Sequence, residues 1–327
     1  MPNLHASVPD PTVPSRAVLV VSPCRNEAAF MRRTLDSVAA QTLRPALWVI
    51  VDDGSTDETP AILADYAARH PWIRVLQKPD RGHRAVGPGV IEAFYAGLES
   101  VDWRSYPYLC KLDLDLDLPP RYFETLAERM EAEPRLGTCS GKPYGRRGDV
   151  LVSERRGDEM SAGMTKFFRR TCFEAIGGFV RAVMWDAIDC HKCRQEGWTA
   201  RSWDDPEIRF EHLRPMGSSE RSIHEGRRRH GRGQWYMGSD PLYYAATCLF
   251  RAAEPPRVTG GLAMAQGYLG AWWRGAPQHP DPALRRFIRA YQRRALVVGR
   301  TRAVREIEAR QAARFDPTGS GRALASS

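Results

Sequence analysis

Short apolar runs alternate, through the first half of the chain, with stretches whose apolar residues recur every three or four positions. Residues 17–22 (AVLVVS) and 47–51 (LWVIV) are β-branched or apolar runs of strand length, which predict buried strands, and residues 73–77 (IRVLQ) predict a third strand. Residues 27–41 carry Phe30, Leu35 and Val38 at helical spacing, and residues 59–70 predict a second helix. A third helix is expected over 89–98, a further strand over 108–116 and a helix over 121–133. Strands alternating with helices predict a parallel sheet with right-handed crossovers, hence an α/β fold. Residues 134–163 are rich in glycine and charge and predict no regular element. Residues 164–178 predict a strand running into a short helix stopped by Gly177-Gly178, and 188–196 a helix ended by Gly197.

Beyond Ser218 the pattern changes. Arg221, Arg227, Arg228, Arg229 and Arg232 cluster among small and aromatic residues. Residues 227–236 (RRRHGRGQWY) read either as a loop that closes on a diphosphate or as a basic surface facing anionic lipid. Residues 258–273 are apolar but hold four glycines and Gln266, and they fall short of the ~20 residues a spanning helix needs. With Trp272-Trp273-Arg274 they read as an interfacial element or as a buried helix pair. An arginine-rich helical stretch follows over 283–315. The expected organisation is a disordered segment over 1–16, one α/β domain over 17–218, a basic helical extension over 219–315 and a disordered tail over 316–327.

Composition adds a constraint on partners. The 327 residues are 43% hydrophobic, enough for a substantial core, and carry a net charge of +9. Such a balance favours phosphates, nucleic acid or an acidic membrane surface. No nucleic-acid-binding module accompanies the charge, so a nucleic-acid partner is not expected. The first residues lack the apolar core of a signal peptide, and a cytoplasmic location is expected. Seven cysteines form no disulfide framework. Cys190 and Cys193 bracket His191 without the second ligand pair of a zinc site, so they read as buried helix residues.

Two acidic constellations carry candidate chemistry. Asp113, Asp115 and Asp117 alternate with Leu112, Leu114 and Leu116, so an extended strand would bury the leucines on one face and align the carboxylates on the other. Aspartate is depleted in strands and neighbouring carboxylates repel. A hard divalent cation with a phosphate ligand would relieve that repulsion. Asp52 and Asp53 follow a buried strand, at the carboxyl end where open α/β sheets bind ligands. Asp53 there could accept hydrogen bonds from a base or ribose, whereas Ser55, Thr56 and Asp57 read as a turn and helix cap.

Taken in order, these motifs resemble the inverting family 2 glycosyltransferases of GT-A fold. The resemblance runs over residues 18–214, through Ser22-Pro23-Cys24-Arg25-Asn26-Glu27, Asp52-Asp53-Gly54-Ser55-Thr56-Asp57, Arg81-Gly82, Asp113-Leu114-Asp115, Phe168-Arg169-Arg170, Ile176-Gly177-Gly178-Phe179 and Trp185-Asp186. It implies a Rossmann-like, mostly parallel sheet flanked by helices, here followed by a helical C-terminal extension. It also implies transfer of a sugar from a UDP- or GDP-sugar to a saccharide or lipid-linked acceptor hydroxyl, with Mg²⁺ or Mn²⁺ as cofactor, in polysaccharide or glycolipid synthesis.

Carried onto this chain, the resemblance gives Asp53 the nucleobase and sets Arg25, Asn26, Glu27 and Asp52 beside the nucleotide. Asp113 and Asp115 match the D-x-D that binds ribose and the metal-bridged diphosphate, whereas Asp117 matches no required position. Arg81 and Arg84 lie in the loop that approaches the donor, or are surface charges. Counting back from Gly197-Trp198 places the base at Asp186, with Trp185 where the family often has Glu; Asp189 competes, or caps the helix. His212 completes the metal site with Asp115 or is a structural histidine, Glu211 being the alternative ligand. Peripheral contact with the inner face of an anionic membrane is expected of the extension. The rival readings are a polyprenyl-phosphate sugar synthase and a catalytically silent nucleotide-sugar-binding protein.

Overall fold

The computed structural model describes residues 14–80, 82, 87–154, 157–214 and 222–317. Its first part alternates strand and helix: β1 (Val18–Cys24), α1 (Met31–Ala39), β2 (Leu47–Asp52), α2 (Thr59–Arg69), β3 (Ile73–Gln77), α3 (Pro88–Glu99) and β4 (Tyr108–Leu112). There follow β5 (Leu116–Asp117), α4 (Tyr122–Ala132), β6 (Leu136–Gly141), β7 (Pro143–Arg147), β8 (Val150–Ser153), β9 (Thr165–Arg169), α5 (Arg170–Ala175), α6 (Trp185–Gln195), β10 (Thr199–Trp203) and β11 (Phe210–His212). The chain closes with α7 (Ile223–Met237), α8 (Pro241–Ala252), α9 (Thr259–Trp273), α10 (Pro282–Val298) and α11 (Arg300–Gln311).

Seven strands form the main sheet in the order β10-β6-β9-β4-β1-β2-β3. β1 pairs in parallel with β2 and β4, as the apolar runs predict, but β9 enters antiparallel between β4 and β6. One apolar layer, with Leu35, Trp48 and Phe123, covers one face of the sheet, and a second, with Phe94, Phe168 and Phe173, covers the other. A smaller sheet, β5-β11-β7-β8, stands at the edge of the site.

Three expectations are corrected. The acidic strand does not run through to Leu116: β4 ends at Leu112 and the chain bends at Asp113–Asp115 before β5 leaves for the small sheet. Leu112, Leu114 and Leu116 are still all buried, so the alternation holds while the strand breaks where carboxylates crowd. The glycine-rich stretch over 134–163 contains β6, β7 and β8. β6 is buried throughout although it is nearly devoid of large apolar residues, because its glycines sit at close approaches: a Cβ on Gly141 would lie 1.6 Å from the Ile208 carbonyl oxygen. Residues 227–236 form no loop but lie within α7. The stretch over 283–315 is helical as expected, in two helices divided at Gly299, whose φ is +81°.

The C-terminal segment is stitched to the sheet. Glu308 on α11 accepts from Arg194 Nε at 3.0 Å and Arg201 Nη1 at 2.7 Å, and Phe315 meets Trp198 edge-on with centroids 4.9 Å apart. A side chain on Gly197 would strike the Phe315 backbone nitrogen at 2.5 Å, so the Gly-Trp landmark of the sequence is a docking point. Residues 1–13 and 318–327 of the segments expected to be disordered, and Arg221 of the basic cluster, lie outside the described residues.

Candidate active site

The carboxyl ends of β1, β2 and β3 carry the first set of side chains. Asn26 adopts a left-handed backbone with φ +55°, a conformation its short polar side chain tolerates. Its Oδ1 accepts from Thr56 N at 2.8 Å and its own N–H donates to Ser55 Oγ at 2.9 Å. Asp52 Oδ1 accepts from Ser55 N at 2.9 Å, and Asp57 accepts from Ala28 N and Thr59 N. These bonds lace the loop after β1 to the loop after β2 and occupy Asn26, Asp52 and Asp57 in holding its shape. Arg25 ties the same loops down: it donates to the Asp53 carbonyl at 2.6 Å and to Asp80 Oδ1 at 2.5 Å. Gly54 is required there, because a Cβ would fall 2.4 Å from the Asp80 Cα. Asp53 is buried, with Lys78 Nζ 3.3 Å from its Oδ1. Arg81 and Arg84 lie outside the described residues.

The second set gathers around the break after β4. Lys111 is buried, pairs with Asp113 and donates to the Gly163 carbonyl at 3.1 Å. Asp113 N donates to Met164 O at 2.8 Å. The antiparallel insertion of β9 is what brings Gly163 to this point. Against Gly163 lies Asp186, in the first turn of α6: a Cβ on Gly163 would come within 2.7 Å of Asp186 Oδ2. Asp113 and the Asp186 carboxylate are therefore linked by one lysine and one glycine.

Asp189 has a different environment. It is buried with Lys166, whose Nζ lies 2.6 Å from Asp189 Oδ1, and Lys166 also donates to the Asp186 carbonyl at 2.6 Å. Burial pushes the Asp189 carboxyl up to about 6, with Lys166 restraining the shift. Its contacts are with the core of the sheet, beneath α6, and it caps no helix.

Asp115 lies where the small sheet meets the main one. β11 pairs antiparallel with β5, setting His212 opposite Leu116 and so beside Asp115. His212 Nδ1 is 2.7 Å from Glu154 Oε1, and its Nε2 is 3.7 Å from Asp115 Oδ2, beyond hydrogen-bond reach. Burial lowers the His212 pKa, but Asp115 and Glu154 outweigh it and hold the imidazole up at about 9. Burial likewise raises Asp115, yet His212 and Arg214 hold it below the usual carboxylate range. Arg214 Nε lies 3.3 Å from Asp115 Oδ2 and its guanidinium also pairs with Glu27. Glu211 is engaged by Arg146 at 2.7 Å, and Asp117 pairs with Arg33.

Among the described residues no three His, Cys, Asp or Glu side chains form a ready metal cluster. The donor set nevertheless fits a hard cation. Asp115 Oδ1 is buried without a hydrogen-bond partner, and an imidazole whose Nδ1 is held by a carboxylate presents Nε2 in a fixed direction. Sequence reasoning missed Lys78, Lys111, Glu154, Gly163 and Arg214. For Lys111 the signal was a charged residue inside an apolar strand, and for Arg214 its place two residues after His212.

Fold and site define a GT-A glycosyltransferase scaffold. Residues 19–185 match the family model for glycosyl transferase family 2, and the chain belongs to that family. An uncharacterized protein of Mycobacterium tuberculosis is 47% identical over 77 residues, 23% of this chain and 22% of that one. The poly-beta-1,6-N-acetyl-D-glucosamine synthase of Staphylococcus epidermidis is 30% identical over 124 residues, 37% of this chain and 27% of its own length. The matched stretch thus spans about a quarter of these curated relatives. Among solved structures, the mannosyltransferase PcManGT from Pyrobaculum calidifontis in complex with GDP-Man and Mn2+ aligns with a TM-score of 0.50 at 20% identity, covering 94% of this chain and 90% of that one. S. aureus TarS 1-349 in complex with UDP-GlcNAc aligns at 0.52 and 14% identity, covering 90% of each chain. At these identities the likeness is one of fold.

Proposed function

We propose that this protein transfers a sugar from a nucleotide-sugar donor to the hydroxyl of a saccharide or lipid-linked acceptor, with inversion at the anomeric carbon. The observation that carries this reading is the convergence of Asp113, through Lys111 and Gly163, on the Asp186 carboxylate at the mouth of the parallel sheet. Asp53 follows β2, at the carboxyl end where open α/β sheets bind ligands, and would accept from the base or ribose of a nucleotide. Asp115 and His212 would hold Mg²⁺ or Mn²⁺, which when bound supplies Lewis-acid stabilisation to the departing diphosphate. Asp186 takes the proton of the acceptor hydroxyl as its oxygen attacks. A single base acting opposite the leaving group gives inversion, by the geometry that governs inverting glycosidases.

The chain's part in the chemistry is positioning. Lys111 holds Asp113 and the Gly163 carbonyl in one place. Arg214 links Asp115 to Glu27, so the loop after β1 and the D-x-D move together. The test is a donor screen with purified protein and Mn²⁺. A UDP- or GDP-sugar is expected to raise the unfolding temperature, since a ligand bound only to the folded state stabilises it, and to be hydrolysed slowly without acceptor. If no nucleotide sugar shifts the transition, the reading fails; binding without any turnover on any acceptor would leave a silent sugar-nucleotide-binding protein.

A further inference from the structure

α8 and α9 form a hairpin whose inner faces are used and whose outer faces are not. Tyr244 and Cys248 of α8 meet Met264 and Tyr268 of α9 in a small core. α7 lies against α9 so closely that a Cβ on Gly231 would fall 2.1 Å from the Met264 carbonyl oxygen, and one on Gly267 would fall 2.1 Å from that of Arg228. Away from these contacts, α8 exposes Leu242 at 73%, Leu249 at 75% and Phe250 at 67%, and α9 exposes Leu262 at 63%, Leu269 at 54% and Trp273 at 84%. Positions 242, 249 and 250 share one helical face, as do 262, 269 and 273. Large side chains so fully exposed along whole helix faces are rare on a protein that works alone in water.

We propose that the outer face of the α8–α9 hairpin is a docking surface for an anionic lipid membrane. Charge selects this occupant. The hairpin itself, residues 241–275, holds three arginines against one acid, and Arg257 and Arg274, which follow α8 and α9, are both exposed. Basic residues at a membrane surface are drawn to anionic lipid, whereas a second copy laid on this face would oppose arginine with arginine. Trp272 and Trp273 stand at the end of α9, and tryptophan favours the headgroup level. No helix among the described residues is long and apolar enough to cross a membrane, so the hairpin lies on the surface and leaves the bilayer uncrossed.

The surface is joined to the site. Gly233 on α7 abuts Val183 and Met184, which precede Trp185 and Asp186, and a Cβ there would come within 2.5 Å of the Met184 side chain. Docking stands on the exposed face alone; only its consequence, a membrane-borne acceptor delivered near Asp186, rests on the transferase reading.

The full chain is sedimented with vesicles of phosphatidylcholine alone and of phosphatidylcholine mixed with phosphatidylglycerol, beside the variants Leu249→Glu with Phe250→Glu on α8, Trp273→Glu on α9, and Val150→Glu on β8 as a control at another exposed apolar residue. Binding is expected only to the anionic vesicles, with release by salt. Each hairpin variant is expected to weaken partitioning by about ten-fold or more through loss of apolar insertion, and the control to leave it unchanged. Donor-induced thermal stabilisation, read in parallel, is expected to stay as in the unaltered chain, which separates failure of docking from failure of the catalytic reading. No binding to anionic vesicles, binding by both hairpin variants as strong as that of the unaltered chain, or a dimer that these variants dissociate would overturn the proposal; the two helices are altered separately so that one folded variant suffices.

Discussion

The Asp186 carboxylate rests on Gly163 so closely that a methyl group at that position would lie 2.7 Å from Oδ2. The contact spans a loop before β9 and the first turn of α6, and it fixes where this carboxylate stands relative to the D-x-D. Asp186→Asn keeps the shape but loses the ability to accept a proton. Turnover is expected to fall by roughly 10²–10⁴-fold, with donor affinity little changed. Gly163→Ala is expected to displace the same carboxylate and lower turnover in the same direction. Steady-state rates with titrated donor binding check both, and full activity in the Asp186 variant would remove the assignment.

Asp115 has one oxygen engaged by Arg214 and near His212, and one buried without a partner. Asp115→Ala is expected to abolish metal-dependent donor binding while the protein stays folded. Calorimetric titration of the donor with Mn²⁺ and with EDTA checks this. Equal donor affinity in both would exclude a metal at Asp115.

The Asp189 carboxylate is buried on Lys166. Removing one partner of a buried pair leaves the other charge uncompensated, so Asp189→Ala is expected to cost about 3–5 kcal/mol of stability. Replacing both, by Asp189→Leu with Lys166→Met, is expected to recover much of that loss. Denaturant titrations compare the three proteins. A stable but inactive Asp189 single variant would instead make Asp189 the base.

His191 on α6 sits 5.3 Å from the Tyr291 ring of α10, and burial, with the charges of Arg194 and Lys166, lowers its pKa to about 3. The unfolded chain titrates near 6.5, so between those values it binds a proton that the folded chain refuses. Stability must fall as pH drops through this window. From pH 7.5 to pH 5 this one group is expected to cost about 2 kcal/mol. His191→Asn is expected to flatten the dependence of the urea midpoint on pH by that amount, and parallel slopes would show that His191 does not titrate on unfolding.

The order of strands and helices up to β4, the burial of Leu112, Leu114 and Leu116, and the candidate carboxylates were legible in the chain, because periodicity and turn chemistry are local properties. β6 was not legible: its glycines and small polar residues pass for a loop until Ile208 and Cys172 close on them. Nor was the insertion of β9, since antiparallel pairing with β4 depends on partners more than fifty residues away. Asp186 and Asp189 lie three residues apart on one helix and are chemically the same. The fold separates them, pressing one against Gly163 beside the D-x-D and burying the other on Lys166. Likewise the apolar residues of α8 and α9 look alike in sequence, and packing alone turned Tyr244 and Met264 inward and left Leu249 and Trp273 outside. Local sequence sets which groups are available, but pKa and exposure depend on what surrounds a side chain in space, and that is supplied by contacts between distant parts of the chain.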